Sequence, residues 1–357
     1  MLLLLLSFPF FGCGSVELEV AASSSVIWVP GNYSTIREAI DAASLGDTIL
    51  VSAGTYNEYV QVNKSLSIIG EGPTNTTVCS VTSVFEIRAD NVTISGFTLD
   101  CGWFGSCVEL VDSHGCNISN NLMYGGQATV SLYRSSTNIV AYNDIFPQTN
   151  GVGIHLLGSS DNNVIRSNYI IRASVGIFLN WGDNNTVIEN KVMECHQGLR
   201  ISSSNHNMAR GNSFENNDGG INLWEGAGNR VYHNNLINNP SRVEDTGDNL
   251  WDNGAEGNYW DDYNGTDVDG DGIGDTYLPW RGVDHYPLMN PYWNPADINH
   301  DLKVNLSDAV LVCSAYGSKP EIDNWNPHCD IIEPYGRVNL YDAVIVCANY
   351  GKEFENL

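Results

Sequence analysis

Positive charge is scarce in this chain. Its 357 residues hold 16 lysines and arginines against 42 aspartates and glutamates, a net charge of -26 and a pI near 4.3. Such a balance excludes partners held by their phosphate backbone, so no nucleic acid is expected, and it favours cations instead. No Cys-x-x-Cys occurs among the nine cysteines, which argues against a zinc ribbon or a thioredoxin-type site. Cys79, Cys101, Cys107, Cys116 and Cys195 fall in one region and Cys313, Cys329 and Cys347 in another. Neither set is even, so each region keeps a free thiol or pairs across. The apolar run Met1 to Phe11 has no lysine or arginine before it and is too short to span a bilayer. It reads as a truncated export signal, with Gly12-Cys13-Gly14-Ser15 as an alternative lipid-anchored cysteine site. Asn-x-Ser/Thr sequons at Asn32, Asn63, Asn75, Asn91, Asn117, Asn184, Asn264 and Asn305 agree with export to the cell surface or beyond.

What the chain has in abundance is one returning phrase: a small polar residue, any residue, then an apolar one. It reads Asn120-Asn121-Leu122, Asn143-Asp144-Ile145, Asn168-Tyr169-Ile170, Asn190-Lys191-Val192, Asn212-Ser213-Phe214 and Asn234-Asn235-Leu236. Counted from Gly96, the steps are 24, 23, 25, 22, 22 and 22 residues. A second phrase keeps the same beat, as Gly153-Ile154-His155-Leu156, Gly176-Ile177-Phe178-Leu179, Gly198-Leu199-Arg200-Ile201 and Gly220-Ile221-Asn222-Leu223. A period in the low twenties built from alternating apolar and polar residues means a solenoid of short strands. The intervals lack the helical periodicity of leucine-rich arcs, so a parallel β-helix is expected, its coils stacked roughly 4.8 Å apart. Apolar residues fill the bore, and the asparagines pair in ladders at inward corners.

Before the repeats, Thr35 and Glu38 have capping-box spacing, and Ile36, Ala39, Ile40 and Ala43 form one apolar face. A short helix there can cover the open end of the bore. The run Tyr33-Ser34-Thr35-Ile36-Arg37-Glu38-Ala39-Ile40, with Gly46-Asp47-Thr48-Ile49, Gly54-Thr55-Tyr56 and Lys64-Ser65-Leu66-Ser67-Ile68-Ile69-Gly70, resembles the entry to NosD-type and pectin-lyase-like right-handed β-helix proteins. The resemblance covers residues 26 to about 240 and implies a fold shared by carbohydrate-binding and sugar-hydrolysing proteins. Fold likeness alone licenses no reaction.

Two stretches beyond residue 240 suggest calcium. From Glu244 to Asp308 there are fifteen acidic residues against Arg281 and Lys303. Asp267, Asp269, Asp271 and Asp275, interleaved with glycines, can wrap a hard cation with oxygen ligands. Further on, Trp293-Asn294-Pro295 recurs as Trp325-Asn326-Pro327, and Val304-Asn305-Leu306-Ser307-Asp308-Ala309-Val310 as Val338-Asn339-Leu340-Tyr341-Asp342-Ala343-Val344. Asp297, Asn299, Asp301, Asn305 and Asp308 fall at EF-hand-like loop positions 1, 3, 5, 9 and 12, with the Lys303 carbonyl at 7. Asp330, Asn339 and Asp342 are the side chains of the second, altered loop. The pair of units resembles a dockerin, which implies a cohesin-like partner meeting Leu306, Ser307, Leu340 and Tyr341, or packing against its own chain. It departs from that family in Leu302, where glycine is usual, and in a second loop one residue too long. The expected division is 1–25 signal or membrane-proximal segment, 26–240 β-helix, 241–292 acidic calcium-binding segment and 293–357 dockerin-like domain.

Aligning the phrases stacks Glu109, Ser131, His155, Phe178, Arg200 and Asn222 in one outward column, with Trp181, Trp224 and Glu225 close by. Rings pack on sugar faces and polar groups read hydroxyls, so His155, Phe178, Trp181, Arg200, Asn222 and Trp224 are the candidate residues for a polysaccharide or surface glycan. For catalysis a glycosidase needs two carboxyls about 5 to 10 Å apart. Glu194, Glu215 and Asp218 are the candidates, with Arg200 as the base of interest. The repeats hold no Asp-Asp pair or Gly-His-Gly of polygalacturonase relatives and no Arg-x-Pro-x-x-Arg of pectate lyases. A copper carrier would want clustered His, Met or Cys, whereas His155, His196 and His206 are scattered and Cys195-His196 is the one close pair. The expectation is therefore an exported, calcium-stabilised β-helix that binds glycan or another cell-surface component and is attached through its dockerin-like tail. The alternatives are a polysaccharide hydrolase or lyase and a purely structural envelope protein.

Overall fold

The computed structural model describes residues 24–241, 243–292 and 304–318, with a few positions between Cys329 and Tyr350. Alternating side chains drive the chain into three parallel sheets of eleven, ten and nine strands that wind into a right-handed β-helix. Each coil gives one strand to each sheet, as in Val152–Leu157, Val164–Arg166 and Tyr169–Ile171, before the next coil begins at Val175–Asn180. The nine-stranded sheet carries six-residue strands along much of its length and is called the long sheet below.

Period-2 patterning sorts the side chains. In Val152–Leu157, Ile154 and Leu156 are fully buried while His155 and Leu157 face outward. Strand register then stacks like on like: Ile154, Ile177, Leu199 and Ile221 form one column, and Leu156, Leu179, Ile201 and Leu223 another. Met123, Ile145, Ile170, Val192, Phe214 and Leu236 fill the bore from the ten-stranded sheet. These side chains are at most 3% exposed, and each contributes roughly 1.5–3 kcal/mol by leaving water. Gly176 stands at a close approach between coils, since a Cβ there would lie 2.7 Å from the Gly198 carbonyl and run into Val192.

The corners are held by amide ladders. Asn121, Asn143, Asn168, Asn190, Asn212, Asn234 and Asn258 are buried, each donating its backbone N–H to the next side-chain oxygen across 22, 25, 22, 22, 22 and 24 residues. The first rung is Asn121, not Asn120; Asn120 takes the left-handed corner at φ 56°, a conformation asparagine tolerates. A second ladder of Asn138, Asn163, Asn185, Asn207, Asn229 and Asn249 holds the corner leaving the long sheet. The coils also continue past the expected close at 240, adding Glu244–Asp245, Asp248–Leu250 and Tyr259–Trp260. Asp284 ends the first ladder. Its buried carboxylate accepts from Asn258 N and Trp260 Nε1, both at 2.8 Å, although burial raises its pKa above the ordinary value.

At the other end, helix Ile36–Ala42 starts at Thr35, whose hydroxyl accepts from Glu38 N at 3.1 Å. It buries Ile36, Ala39 and Ile40 against Val26–Val29, Thr48–Val51 and Val60–Val62, near the start of the stack. The Glu58 carboxylate accepts from the Ile36 and Arg37 amides, and Lys64 Nζ donates to the carbonyls of Ile40, Asp41 and Ala43. Each charge thus sits at the helix terminus of opposite partial charge. A second helix, Leu306–Ala315, is capped by Asn305 and Asp308 in a reciprocal box. Val304, Val312, Ala315, Cys329, Val338 and Val346 form a small core separate from the bore. The expected loop ligands Asp297, Asn299, Asp301, Lys303, Asp330, Asn339 and Asp342 lie outside the described residues, as do Leu340 and Tyr341.

Candidate functional site

The outer face of the long sheet carries the expected column. Register pairs Glu109 with Ser131, Ser131 with His155, His155 with Phe178, Phe178 with Arg200 and Arg200 with Asn222. The column extends to Glu86 and Gln61 on one side and Glu244 on the other. A flanking column runs Tyr133, Leu157, Asn180, Ser202, Trp224.

Within this face the side chains pack on one another. The His155 and Phe178 rings stack at 4.8 Å with 2° between their planes. The Arg200 guanidinium lies 5.1 Å from the Phe178 centroid and 5.2 Å from that of Trp224, while its Nε donates to Ser202 Oγ at 3.1 Å. Burial pushes the His155 pKa down to about 4, so the imidazole is neutral at ordinary pH, and its Nε2 has no hydrogen-bond partner among the described residues. Trp224 is 50% exposed and Trp181, on the left-handed corner after Val175–Asn180, 64%. The result is a ridge of rings with one fixed cation, which can stack on a sugar ring and donate to its oxygens.

The carboxyls considered for catalysis are each taken. Glu194 pairs with Arg172 at 2.8 Å, Glu215 with Lys191 at 3.1 Å and Asp218 with His196 at 2.9 Å. They lie on the edge or corner of the ten-stranded sheet, whereas Arg200 stands on the long sheet. No acid is brought to Arg200 by any hydrogen bond or ion pair among the described residues.

In the acidic segment, Asp267, Asp269 and Asp275 each present a carboxylate oxygen within 4.8 Å of the others. Asp271 is not part of that group and turns to accept from Ile273 N at 2.8 Å. Backbone amides of Gly272 and Gly270 donate to Asp267 and hold its pKa below the ordinary carboxylate value.

Several features escaped the sequence reading. The recurrence of Asn138, Asn163, Asn185, Asn207 and Asn229 is visible in the sequence as a second ladder in step with the first. A ring column on the ten-stranded sheet, Tyr124 stacked on Phe146 at 5.1 Å and Phe146 edge-on to Tyr169 at 6.2 Å, needed the register to be seen.

The chain is similar to several proteins. Over 304 residues it is 28% identical to a cell surface glycoprotein of Methanothermus fervidus, covering 64% of this chain and 51% of that protein. Over 134 residues it is 33% identical to a probable ABC transporter binding protein NosD of Pseudomonas aeruginosa, covering 32% of this chain and 31% of that one. The chain thus spans about half the length of the first relative and a third of the second. Among solved structures, the catalytic domain of an alpha-1,3-glucanase in complex with nigerose aligns with a TM-score of 0.52 at 16% identity, over 66% of this chain and 45% of that one. The Dettilon tailspike protein aligns with a TM-score of 0.52 at 12% identity, over 64% and 54%. At such identities the likeness concerns the fold alone.

A family model described as "Periplasmic copper-binding protein (NosD)" matches residues 40–265. Among the described residues no three His or Cys side chains converge on one point. Among them, the one group of three or more His, Cys, Asp or Glu side chains close enough to share an ion is the three-aspartate set, whose hard oxygens suit calcium better. His196 turns outward to Asp218 while Cys195 turns inward to the Met193 carbonyl, so these neighbours in sequence do not converge. His233 is held between Glu256 and the Tyr292 ring. With its three-sheet solenoid, its ladders and a match over more than half its length, the chain belongs to the NosD family.

Proposed function

We propose that this protein is an exported, calcium-stabilised β-helix that binds a polysaccharide or other surface glycan on the outer face of its long sheet. The observation that carries the reading is the ridge in which Arg200 sits between Phe178 and Trp224, with His155 stacked below and Asn222 above. Such a ridge repeats along the coil axis at the interstrand spacing, which suits an extended chain of sugars. A location in the cell envelope is supported by the names of the relatives, one periplasmic and one at the cell surface. Calcium would sit among Asp267, Asp269 and Asp275. The dockerin-like tail, with helix Leu306–Ala315, would provide attachment to a cohesin-like protein or to the chain's own solenoid.

A glycan array followed by titration of the strongest binder tests this. Arg200→Ala and Trp224→Ala should each weaken binding about fivefold to thirtyfold, as expected for losing a ring or cation contact worth roughly 1–2 kcal/mol. A blank array for a protein recovered in isolated cell-surface material would favour a purely structural envelope role. Release of reducing ends or unsaturated products, abolished by Glu194→Gln or Asp218→Asn, would replace binding by catalysis.

A further inference from the structure

We infer that Cys101 and Cys107 form an intrachain disulfide that locks the turn 102–106 beside a groove, away from the long-sheet ridge. The two Sγ atoms lie 2.8 Å apart. That is closer than the roughly 3.5–4.0 Å at which non-bonded heavy atoms rest, and less than an ångström from the ~2.05 Å bond.

The backbone already holds both residues in place. Cys101 ends strand Thr98–Cys101, in register with Ser80 and Gly125. Cys107 leads into Val108–Val111, donating its N–H to Thr129 O at 2.8 Å and accepting from Phe85 N at 3.0 Å. Both side chains turn into the bore, at 6% and 0% exposure. The other described solenoid cysteines have different work. Cys116 N donates to Asn138 Oδ1 and Cys195 N to Asn217 Oδ1, so both stand as ladder rungs, and Cys79 Sγ donates to Asn57 Oδ1.

The bridge falls where the coil needs one. Turns between the same two sheets span two residues at 126–127, five at 147–151 and three at 172–174, 194–196 and 216–218, but six here, at 102–107. The long turn displays Trp103 and Phe104, 67% and 92% exposed. Beside it lies a groove of about 590 Å³, lined by Tyr59, Ser80, Thr82, Asp100, Cys101 and Gly102 among others. Closing the neck of the turn fixes the segment that carries both rings beside Gly102, which lines the groove, without spending ladder bonds to do so.

The chemistry is thiol–disulfide exchange. One cysteine thiolate attacks the S–S bond of a disulfide reagent such as glutathione disulfide, forming a mixed disulfide and releasing one thiol. The second cysteine then displaces the other, so the pair loses two protons and two electrons and the reagent is reduced to two thiols. Compartments outside the cytosol sustain such oxidants. Burial raises the Cys107 pKa well above its ordinary value, so exchange takes place before the coil closes over the pair.

The test refolds the full chain in a glutathione disulfide buffer, alkylates free thiols, and maps peptides after chymotrypsin. The expected product is a joined pair of peptides carrying Cys101 and Cys107, about 2 Da lighter than the two free peptides and unalkylated. Fragments nicked after Trp103 or Phe104 should stay joined on a non-reducing denaturing gel and part on a reducing one. Alkylation of both cysteines when the oxidised protein is denatured in the presence of the alkylating agent, or a link from either to another cysteine, would overturn the assignment. For the locking role, oxidised protein should be nicked at Trp103 or Phe104 about tenfold more slowly than the same protein folded under reductant or a C101A/C107A variant. Equal rates would overturn that role while leaving the glycan reading of the long sheet untouched.

Discussion

Replacing one mid-stack rung, Asn190→Ala, probes the ladder where no end effect can relieve it. Asn190 Oδ1 accepts from the backbone N–H of Asn168 at 3.0 Å and from its side-chain amide at 2.9 Å. Its Nδ2 donates to Ile165 O, Ile188 O and Asn212 Oδ1 at 2.9–3.0 Å. Alanine removes all of these and leaves the partners buried, because the position is fully enclosed. The main-chain N–H of Asn168 and the carbonyl of Ile165 then have no good substitute. Each lost bond between neutral groups is worth roughly 0.5–1.5 kcal/mol, and a stranded buried donor or acceptor about 1–3 kcal/mol. The total expected is about 4–6 kcal/mol, a large share of the ~5–15 kcal/mol by which domains are stable. Urea unfolding followed by circular dichroism measures it, with Asn63→Ala, an exposed residue outside the left-handed backbone region, as the control within about 0.5 kcal/mol of the parent. A loss under about 1 kcal/mol at Asn190 would mean that the amides do not carry the corners.

Four further outcomes follow from the same geometry. Gly176→Ala should destabilise by about 2–4 kcal/mol in the same urea assay, because the new methyl meets Val192 and the Gly198 carbonyl. The His155 pKa is depressed to about 4 in the fold from an ordinary 6.5, so the unfolded chain takes up the proton first. Its stabilising effect is complete above pH 6.5 and falls away as pH drops towards 4, by up to about 3 kcal/mol; His155→Phe should flatten this part of the stability profile. Calcium added to chelated protein should raise hydrogen-exchange protection in 260–292 and leave strands such as Val175–Asn180 unchanged, with D267N/D269N abolishing the response. Global unfolding under chelator would contradict that division. Asp284→Ala leaves Asn258 N and Trp260 Nε1 unpaired and should cost about 2–4 kcal/mol, with fraying of Tyr259–Trp260 seen by exchange.

The solenoid was legible because its physics repeats. Ile154, Ile177, Leu199 and Ile221 sit one period apart in the sequence and one strand apart in space, and the outward column followed from the same spacing. The first ladder was legible in outline, but Asn120-Asn121 offered two candidates and only the backbone decides which turns inward. The extra coil at Glu244–Trp260 was hidden because its strands shorten to two or three residues and lose their apolar alternation. Partners that are distant and charged were also hidden. No sequence phrase tells that Asp284 closes a ladder, that Glu194 is taken by Arg172, or that Arg200 is held between two rings. Cys101 and Cys107 stood six residues apart among other cysteines, and their meeting depends on the width of a corner.

The most direct test of the account is the footprint of a bound glycan by hydrogen exchange, using the strongest binder from the array at saturation. The account predicts simultaneous protection in Val152–Leu157, Val175–Asn180, Gln197–Ser202 and Gly219–Trp224, four strands spread along the sequence and adjacent only when the coils stack. Protection confined to one of these strands, or falling on the ten-stranded sheet instead, would contradict it.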